Sequence, residues 1–161
     1  MDFVIDKENK QVRVTREFAA PLSKVWAAYT QSELLDQWWA PKPWKANTKE
    51  MEFKDGGHWL YVMAGPEGEE HWCREDFQSI KPMKSFKAVD AFCDSSGKVN
   101  DEFPKSTWVI EFSEANNKTT VKIEMQCETV ADLEKYIEMG FQEGFTMALG
   151  NLDELLVSLK V

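Results

Sequence analysis

Two short helices followed by a glycine-joined strand pair occupy residues 13–66, and this pattern restricts the fold more than any other part of the chain. Pro21 stands where a helix takes its first residue, since its missing N–H needs no partner there. It predicts a helix over 21–29. The Thr-x-x-Glu pattern that begins at Thr30 is a capping box, and it predicts a second helix over 31–39.

Alternating apolar residues predict an antiparallel sheet on both sides of these helices. Residues 11–18 form the first expected strand, because their apolar side chains repeat at a spacing of two. The strand pair around Gly56-Gly57 follows the helices. Later strands are expected at about 70–80, 84–93, 107–113 and 119–127. Segment 94–106 is the longest irregular stretch, which favours a lid or a rim loop.

The C-terminal region carries the strongest helical pattern. Eight apolar residues recur there at spacings of three or four and predict one long helix with an apolar face packed on the sheet: Leu133, Ile137, Phe141, Phe145, Leu149, Leu152, Leu156 and Leu159. Gly140 and Gly144 fall inside this helix, where each costs about 1 kcal/mol relative to Ala. Either they allow close approach to a strand, or they leave space for a cavity beside the two phenylalanines.

Composition limits the partners of the chain. Its 161 residues predict one domain over 1–161, and a net charge of −9 repels phosphate backbones and anionic lipid, so neither nucleic acid nor a membrane surface is an expected partner. No apolar run approaches the roughly 20 residues of a membrane helix. The N-terminus lacks the pattern of a signal peptide. Three widely spaced cysteines indicate a reducing cytoplasm.

Familiar catalytic and metal-binding motifs are missing from the sequence. His58 and His71 are the only histidines and have no metal-ligand spacing, so we expect no metal, and no nucleotide or cofactor motif occurs. His71 and Cys73 share a face of one expected strand. A small buried thiol explains that cysteine better than a nucleophile does, so no catalytic residue is assigned.

The strand at 70–80 is unusually polar, and its two faces lead to different expectations. Either Trp72, Arg74 and Asp76 face the interior, or His71, Cys73 and Glu75 do. A charged group inside an apolar pocket would have a perturbed pKa and could orient or protonate a ligand. A salt-bridged face in solvent is the competing interpretation. The same question applies to Asp90, which lies between Val89 and Ala91.

Taken in order, these motifs resemble those of one family. They are Ala20-Pro21 with Val25-Trp26; Thr30, Glu33 and Leu35 running into Trp38, Trp39 and Pro41; Gly56, Gly57, Trp59, Tyr61, Met63, Gly65, Pro66 and Gly68; and Gly144, Phe145, Leu149, Leu152 and Leu156. Over about residues 11–157 the chain resembles the START-like (SRPBCC) superfamily, in the group named after the activator of heat-shock protein 90 ATPase. Ser32 and Ala40 depart from the family pattern, which commonly has Pro and Gly there.

The resemblance implies an α+β helix-grip fold: a curved antiparallel sheet of about seven strands around a long C-terminal helix, with two short helices after the first strand. It also implies an apolar pocket between sheet and helix that relatives use for lipids, sterols or polyketides. Candidate ligand-binding residues in that cavity are Met51, Trp59, Tyr61, Met63, Trp72, Phe86, Trp108, Ile110, Met125, Phe141, Phe145 and Leu149.

Three functions follow as hypotheses. Binding of a small hydrophobic or aromatic ligand requires a continuous cavity of a few hundred cubic ångströms. A cyclase- or hydrolase-like enzyme requires polar groups converging in it, drawn from Tyr61, His71, Arg74, Glu75, Asp76, Asp90 and Gln142. Docking on a chaperone would instead favour a filled core and an exposed apolar patch. A homodimer stays open, since exposed tryptophans could serve it.

Overall fold

The computed structural model describes residues 1–159, which form an antiparallel sheet of eight strands and four helices. In chain order the elements are β1 Asp2–Asp6, β2 Gln11–Phe18, α1 Leu22–Thr30, α2 Ser32–Trp38, β3 Lys45–Met51, β4 His58–Ala64, β5 Glu70–Lys81, β6 Ser85–Cys93, β7 Ser106–Ala115, β8 Lys118–Cys127, α3 Val130–Glu138 and α4 Phe141–Ser158. The strands lie side by side in the order β1-β2-β8-β7-β6-β5-β4-β3. The architecture is the predicted α+β helix-grip fold.

One strand was not foreseen. Residues 2–6 pair with β2 from Asp2 opposite Thr15 to Asp6 opposite Gln11, so the sheet has eight strands rather than about seven. Phe3 and Ile5 are half-buried and Val4 between them is exposed, so the three apolar residues in a row show no alternation in the sequence that would predict a strand. Among residues 1–159, no helix is long and apolar enough to cross a membrane.

The two short helices lie close to their predicted bounds, but their junction differs. Gln31 is the N-cap of α2, and no side chain caps it. Thr30 instead ends α1, and its hydroxyl donates to the Trp26 carbonyl at 2.8 Å. The predicted capping box at Thr30 and Glu33 is therefore wrong, because a single residue separates the helices and Thr30 bonds backwards along the first.

The predicted long C-terminal helix is also interrupted. Gly140 adopts φ = +82°, a left-handed conformation that ends the helical run, and it divides the segment into α3 and α4. Both helices keep their apolar residues toward the sheet, since Leu133 and Leu149 are fully buried. The apolar residues keep their spacing of three or four on both sides of Gly140. For that reason the sequence pattern predicts a single helix.

Polar contacts fix α4 over the sheet. Arg16 on β2 forms an ion pair with Asp153 on α4. The side-chain amide of Asn151, itself buried, donates to the Ala40 carbonyl at 3.1 Å. Asn151 was not singled out in the sequence, where it interrupts an otherwise apolar helix face. Together these contacts hold α4 against both the first strands and the end of α2.

The predicted lid loop divides into two parts. Its first part lies on the outer face of the sheet, where the Gly97 carbonyl accepts a hydrogen bond from Arg74 at 2.7 Å. Its second part turns to the inner side, where the Pro104 carbonyl accepts a hydrogen bond from Tyr136 at 3.1 Å. Only the second part therefore lies near the space between sheet and helices.

Candidate functional site

A cavity of about 520 Å³ lies between the concave face of the sheet and the α3–α4 junction. Its walls come from the end of α2, from β4, β5, β6 and β7, and from both C-terminal helices. The lining residues are Trp39, Pro41, Trp44, Tyr61, Met63, His71, Cys73, Asp90, Phe92, Trp108, Tyr136, Met139, Gly140, Phe141, Gly144 and Phe145.

Five of the twelve candidates from the sequence line this cavity: Tyr61, Met63, Trp108, Phe141 and Phe145. Four others, Met51, Trp59, Phe86 and Ile110, surround a void of only about 10 Å³. Met125 and Leu149 are fully buried in the core. Trp72 lies on the opposite face of β5, where the Lys49 ammonium approaches its ring at 5.8 Å.

The uneven placement has a packing cause. At the end of the sheet covered by α1 and α2, the indole of Trp26 packs edge-on against Phe86 and Phe112, with centroids 6.1 and 5.0 Å away. Trp38 is fully buried and packs edge-on against Tyr29 of α1, with ring centroids 4.9 Å apart. The short helices thus fill that end, and the cavity occupies the other end, near Gly140.

Aromatic rings form most of the cavity wall. Phe141 and Phe145 stack with centroids 5.5 Å apart, and Trp108 meets Phe145 edge-on at 5.6 Å. Trp39 packs against the same phenylalanine at 6.0 Å. Gly144 lies among them, and a Cβ there would contact only Pro41, at 3.6 Å. Its missing side chain leaves room beside the phenylalanines, which was one of the two interpretations of the helical glycines.

The polar strand β5 turns His71, Cys73 and Glu75 inward, which answers the question left open by its pattern. His71 and Cys73 line the cavity, and Glu75 is buried beside the small neighbouring void. Arg74 and Asp76 form a two-contact ion pair on the outer face, at 2.9 and 2.6 Å. They and the exposed Gln142 do not reach the cavity.

The hydroxyl of Tyr61 and the thiol of Cys73 lie in the cavity wall. Tyr61 accepts a hydrogen bond from the Trp39 indole at 2.9 Å, and burial raises its pKa well above the ordinary value. Cys73 is paired with it across β4 and β5. Burial, reinforced by the nearby Asp90, also raises the pKa of this thiol well above its usual range. Cys73 is therefore not activated as a nucleophile.

Asp90 supplies the only carboxylate of the cavity lining. Burial raises its pKa to about 7, opposed by a hydrogen bond from the Ala91 backbone. Its Oδ1 is shut off from solvent and finds no partner among residues 1–159. Glu75 lies directly opposite on β5, and burial together with Asp90 raises its pKa well above the ordinary value. Because two like charges this close disfavour each other, the arrangement favours a proton on the pair.

Several lining residues were missed as candidates: Pro41, Phe92, Tyr136 and Met139. Phe92 could have been found, because it shares the inward parity of Asp90 on β6. Tyr136 follows the buried Leu133 by three residues, which places both on one helix face. The helix break that brings Met139 and Gly140 to the cavity left no such signal. Within residues 1–159, no group of three His, Cys, Asp or Glu side chains could hold a metal ion.

A family model described as "Activator of Hsp90 ATPase homolog 1-like protein" matches residues 19–157. The chain belongs to this family. No curated protein matches it. The helix-grip fold that it shares with the family is generally a ligand-binding fold.

Solved structures from three bacteria share the fold over nearly the full chain. A protein from Arthrobacter aurescens is 28% identical with a TM-score of 0.92, and the alignment covers 98% of this chain and 92% of that one. A protein from Mycobacterium smegmatis is 27% identical with a TM-score of 0.90, covering 100% and 99%. A protein from Nitrosomonas europaea is 28% identical with a TM-score of 0.82, covering 96% and 97%.

Proposed function

We propose that this protein binds a small hydrophobic, predominantly aromatic ligand in the cavity between the sheet and α4. The cavity itself carries the argument: about 520 Å³ falls within the range of small-molecule sites. A void of this size costs stability unless something fills it, because the wall loses packing contacts. An occupied cavity would recover those contacts.

The chemistry of the wall supports an aromatic ligand. Four aromatic rings pack against one another in the wall with centroid distances of 5.5 to 6.0 Å: those of Trp39, Trp108, Phe141 and Phe145. Flat apolar molecules gain both area burial and ring–ring contacts from such a wall. Met63 adds a flexible thioether that adapts to shape.

A thermal-shift screen against flavonoids, polyketide-like aromatics, fatty acids and sterols tests the proposal. A ligand at a hundred times its Kd adds about 2.7 kcal/mol to the free energy of unfolding. For a domain of this length that raises Tm by roughly 5–10 °C. The absence of a shift with any of these classes, at concentrations up to their solubility, would count against the cavity as a binding site.

Two matched glycine variants locate the binding. Gly144→Met places a long side chain at the cavity wall, whereas Gly150→Met places the same side chain on α4 in open space, with no atom within 4 Å of its Cβ. We expect the first variant to lose at least about tenfold in affinity and the second to bind like the parent. Equal affinities in both variants would place the ligand elsewhere.

Acid–base catalysis is the second candidate, because Tyr61, Cys73 and Asp90 converge in the cavity. A carboxyl with a pKa of about 7 is suited to proton transfer near neutral pH. Conversion of a bound ligand, abolished by Asp90→Asn in a variant that still binds it, would establish this function. Chaperone docking is less favoured, since it requires no internal cavity.

A further inference from the structure

The cavity lining carries a negative group but no Lys or Arg. Asp90 contributes a carboxylate to the lining, and the lining includes neither Lys nor Arg. The one basic side chain there is His71, which is exposed at the mouth and packs beside Trp44 at 5.3 Å. An anionic ligand would therefore enter an apolar space that offers no Lys or Arg to pair with it. Its binding would be weakened by the loss of hydration and also by repulsion from the Asp90 carboxylate.

The groups around Asp90 share one property: each is neutral or negative and none can become positive. They are Glu75 and Cys73 on β5, Tyr61 on β4, Tyr136 on α3, and Cys93 on its own strand. Asp90 thus has no counterion among residues 1–159, and its Oδ1 has no hydrogen-bond donor there. A buried carboxylate in such surroundings is complementary to a cation supplied from outside the chain.

The aromatic rings that line the same cavity suit the same kind of group. Trp39, Trp108 and Tyr136 line the cavity together with Asp90. Aromatic faces attract a cationic nitrogen, most strongly where water is excluded, and a cage of rings with a carboxylate is a common way to bind substituted ammonium groups. The net charge of −9 adds a long-range attraction for cations.

We propose that the ligand is a hydrophobic molecule carrying one positively charged nitrogen, which pairs with Asp90 while its apolar body packs against Trp108, Phe141 and Phe145. This inference rests on the proposed binding function and narrows its ligand class. Free fatty acids and other anionic ligands are excluded by it. Neutral aromatics enter the same space but leave the carboxylate without a partner.

A pH dependence follows from the same arrangement. The cation pairs with the ionised form of Asp90, whose pKa in the empty cavity is about 7. Below that pH the carboxyl must lose a proton when the cation binds, so affinity rises with pH from 6 to 8 and then levels off. A neutral ligand held by the protonated carboxyl would show the opposite trend.

Three indole derivatives of similar size test the inference by isothermal titration calorimetry at pH 6 and pH 8. They carry an ethylamine, an ethanol or an acetate chain, and so present a cation, a neutral hydroxyl or an anion on one ring. We expect the amine to bind about tenfold more tightly than the alcohol at pH 8, with the acetate weakest. Asp90→Asn should remove the advantage of the amine and its pH dependence.

Two further variants keep the result interpretable. Glu124→Gln removes one negative charge from the exposed side of β8, so it should leave the preference for the amine unchanged. Asp90→Leu removes the carboxyl without adding a polar group, and it serves if the asparagine variant fails to fold. Binding of the alcohol without a preference for the amine overturns this inference and leaves the binding function standing. Failure of the amine to bind also overturns this inference, whereas the binding function is contradicted only if the thermal-shift screen shows no ligand either.

Discussion

The indole N–H of Trp39 donates a hydrogen bond to the hydroxyl oxygen of Tyr61 at 2.9 Å. The bond joins the end of α2 to the middle of β4, and both residues line the cavity. Tyr61 also stacks on Trp59, with centroids 3.9 Å apart. The Tyr61 side chain is thus held from two sides.

Tyr61→Phe should lower the free energy of unfolding by about 1 kcal/mol, because it leaves the Trp39 N–H without its acceptor. Trp39→Phe removes the donor together with part of the cavity wall. A double-mutant cycle by urea denaturation should give a coupling of about 1 kcal/mol between them. Strictly additive losses would mean that the bond contributes nothing to stability.

Two other tyrosines should respond to the same substitution in opposite directions. The Tyr29 hydroxyl is buried and finds no partner among residues 1–159, so Tyr29→Phe should raise the free energy of unfolding by about 1 kcal/mol. The Tyr136 hydroxyl donates to the Pro104 carbonyl at 3.1 Å, so Tyr136→Phe should lower it by about the same amount. In thermal melts each change corresponds to roughly 2–4 °C. Destabilisation by Tyr29→Phe would indicate a bonded hydroxyl.

The stability of the protein should fall as the pH rises toward 7. An Asp in an unfolded chain has a pKa of about 3.9, whereas that of Asp90 in the folded protein is about 7. Between these values the folded state keeps a proton that the unfolded state has released, so the free energy of unfolding decreases with pH. The raised pKa of Glu75 acts in the same direction.

Urea denaturation from pH 4 to pH 8 checks this dependence. Asp90→Asn should flatten the decline, since its amide does not titrate, while Glu124→Gln on the exposed side of β8 should retain it. An identical slope in Asp90→Asn and the parent would show that this carboxyl does not titrate abnormally in the folded protein.

The sequence predicted the local elements better than the site because the two depend on different information. Alternation placed Tyr61 and Met63 on one face of β4, and both do line the cavity. The same alternation could not predict that Tyr61 lines the cavity whereas Trp59 does not. Both side chains lie on one face of β4, and the position of each relative to the short helices decides which one borders the cavity. The position of Asp90 opposite Glu75 depends on the pairing of β5 with β6, which no local pattern encodes.

The break at Gly140 is open to a direct test by Gly→Ala substitution at two positions. At Gly140, with φ = +82°, a Cβ is strained, so Gly140→Ala should lower the free energy of unfolding by about 1–2 kcal/mol. Gly150 lies within α4 with open space at its Cβ, so Gly150→Ala should raise it by about 1 kcal/mol. Gly140→Asn should cost less than alanine, since asparagine tolerates the left-handed region better. Stabilisation by both alanines, measured by urea denaturation, would mean that α3 and α4 form one continuous helix.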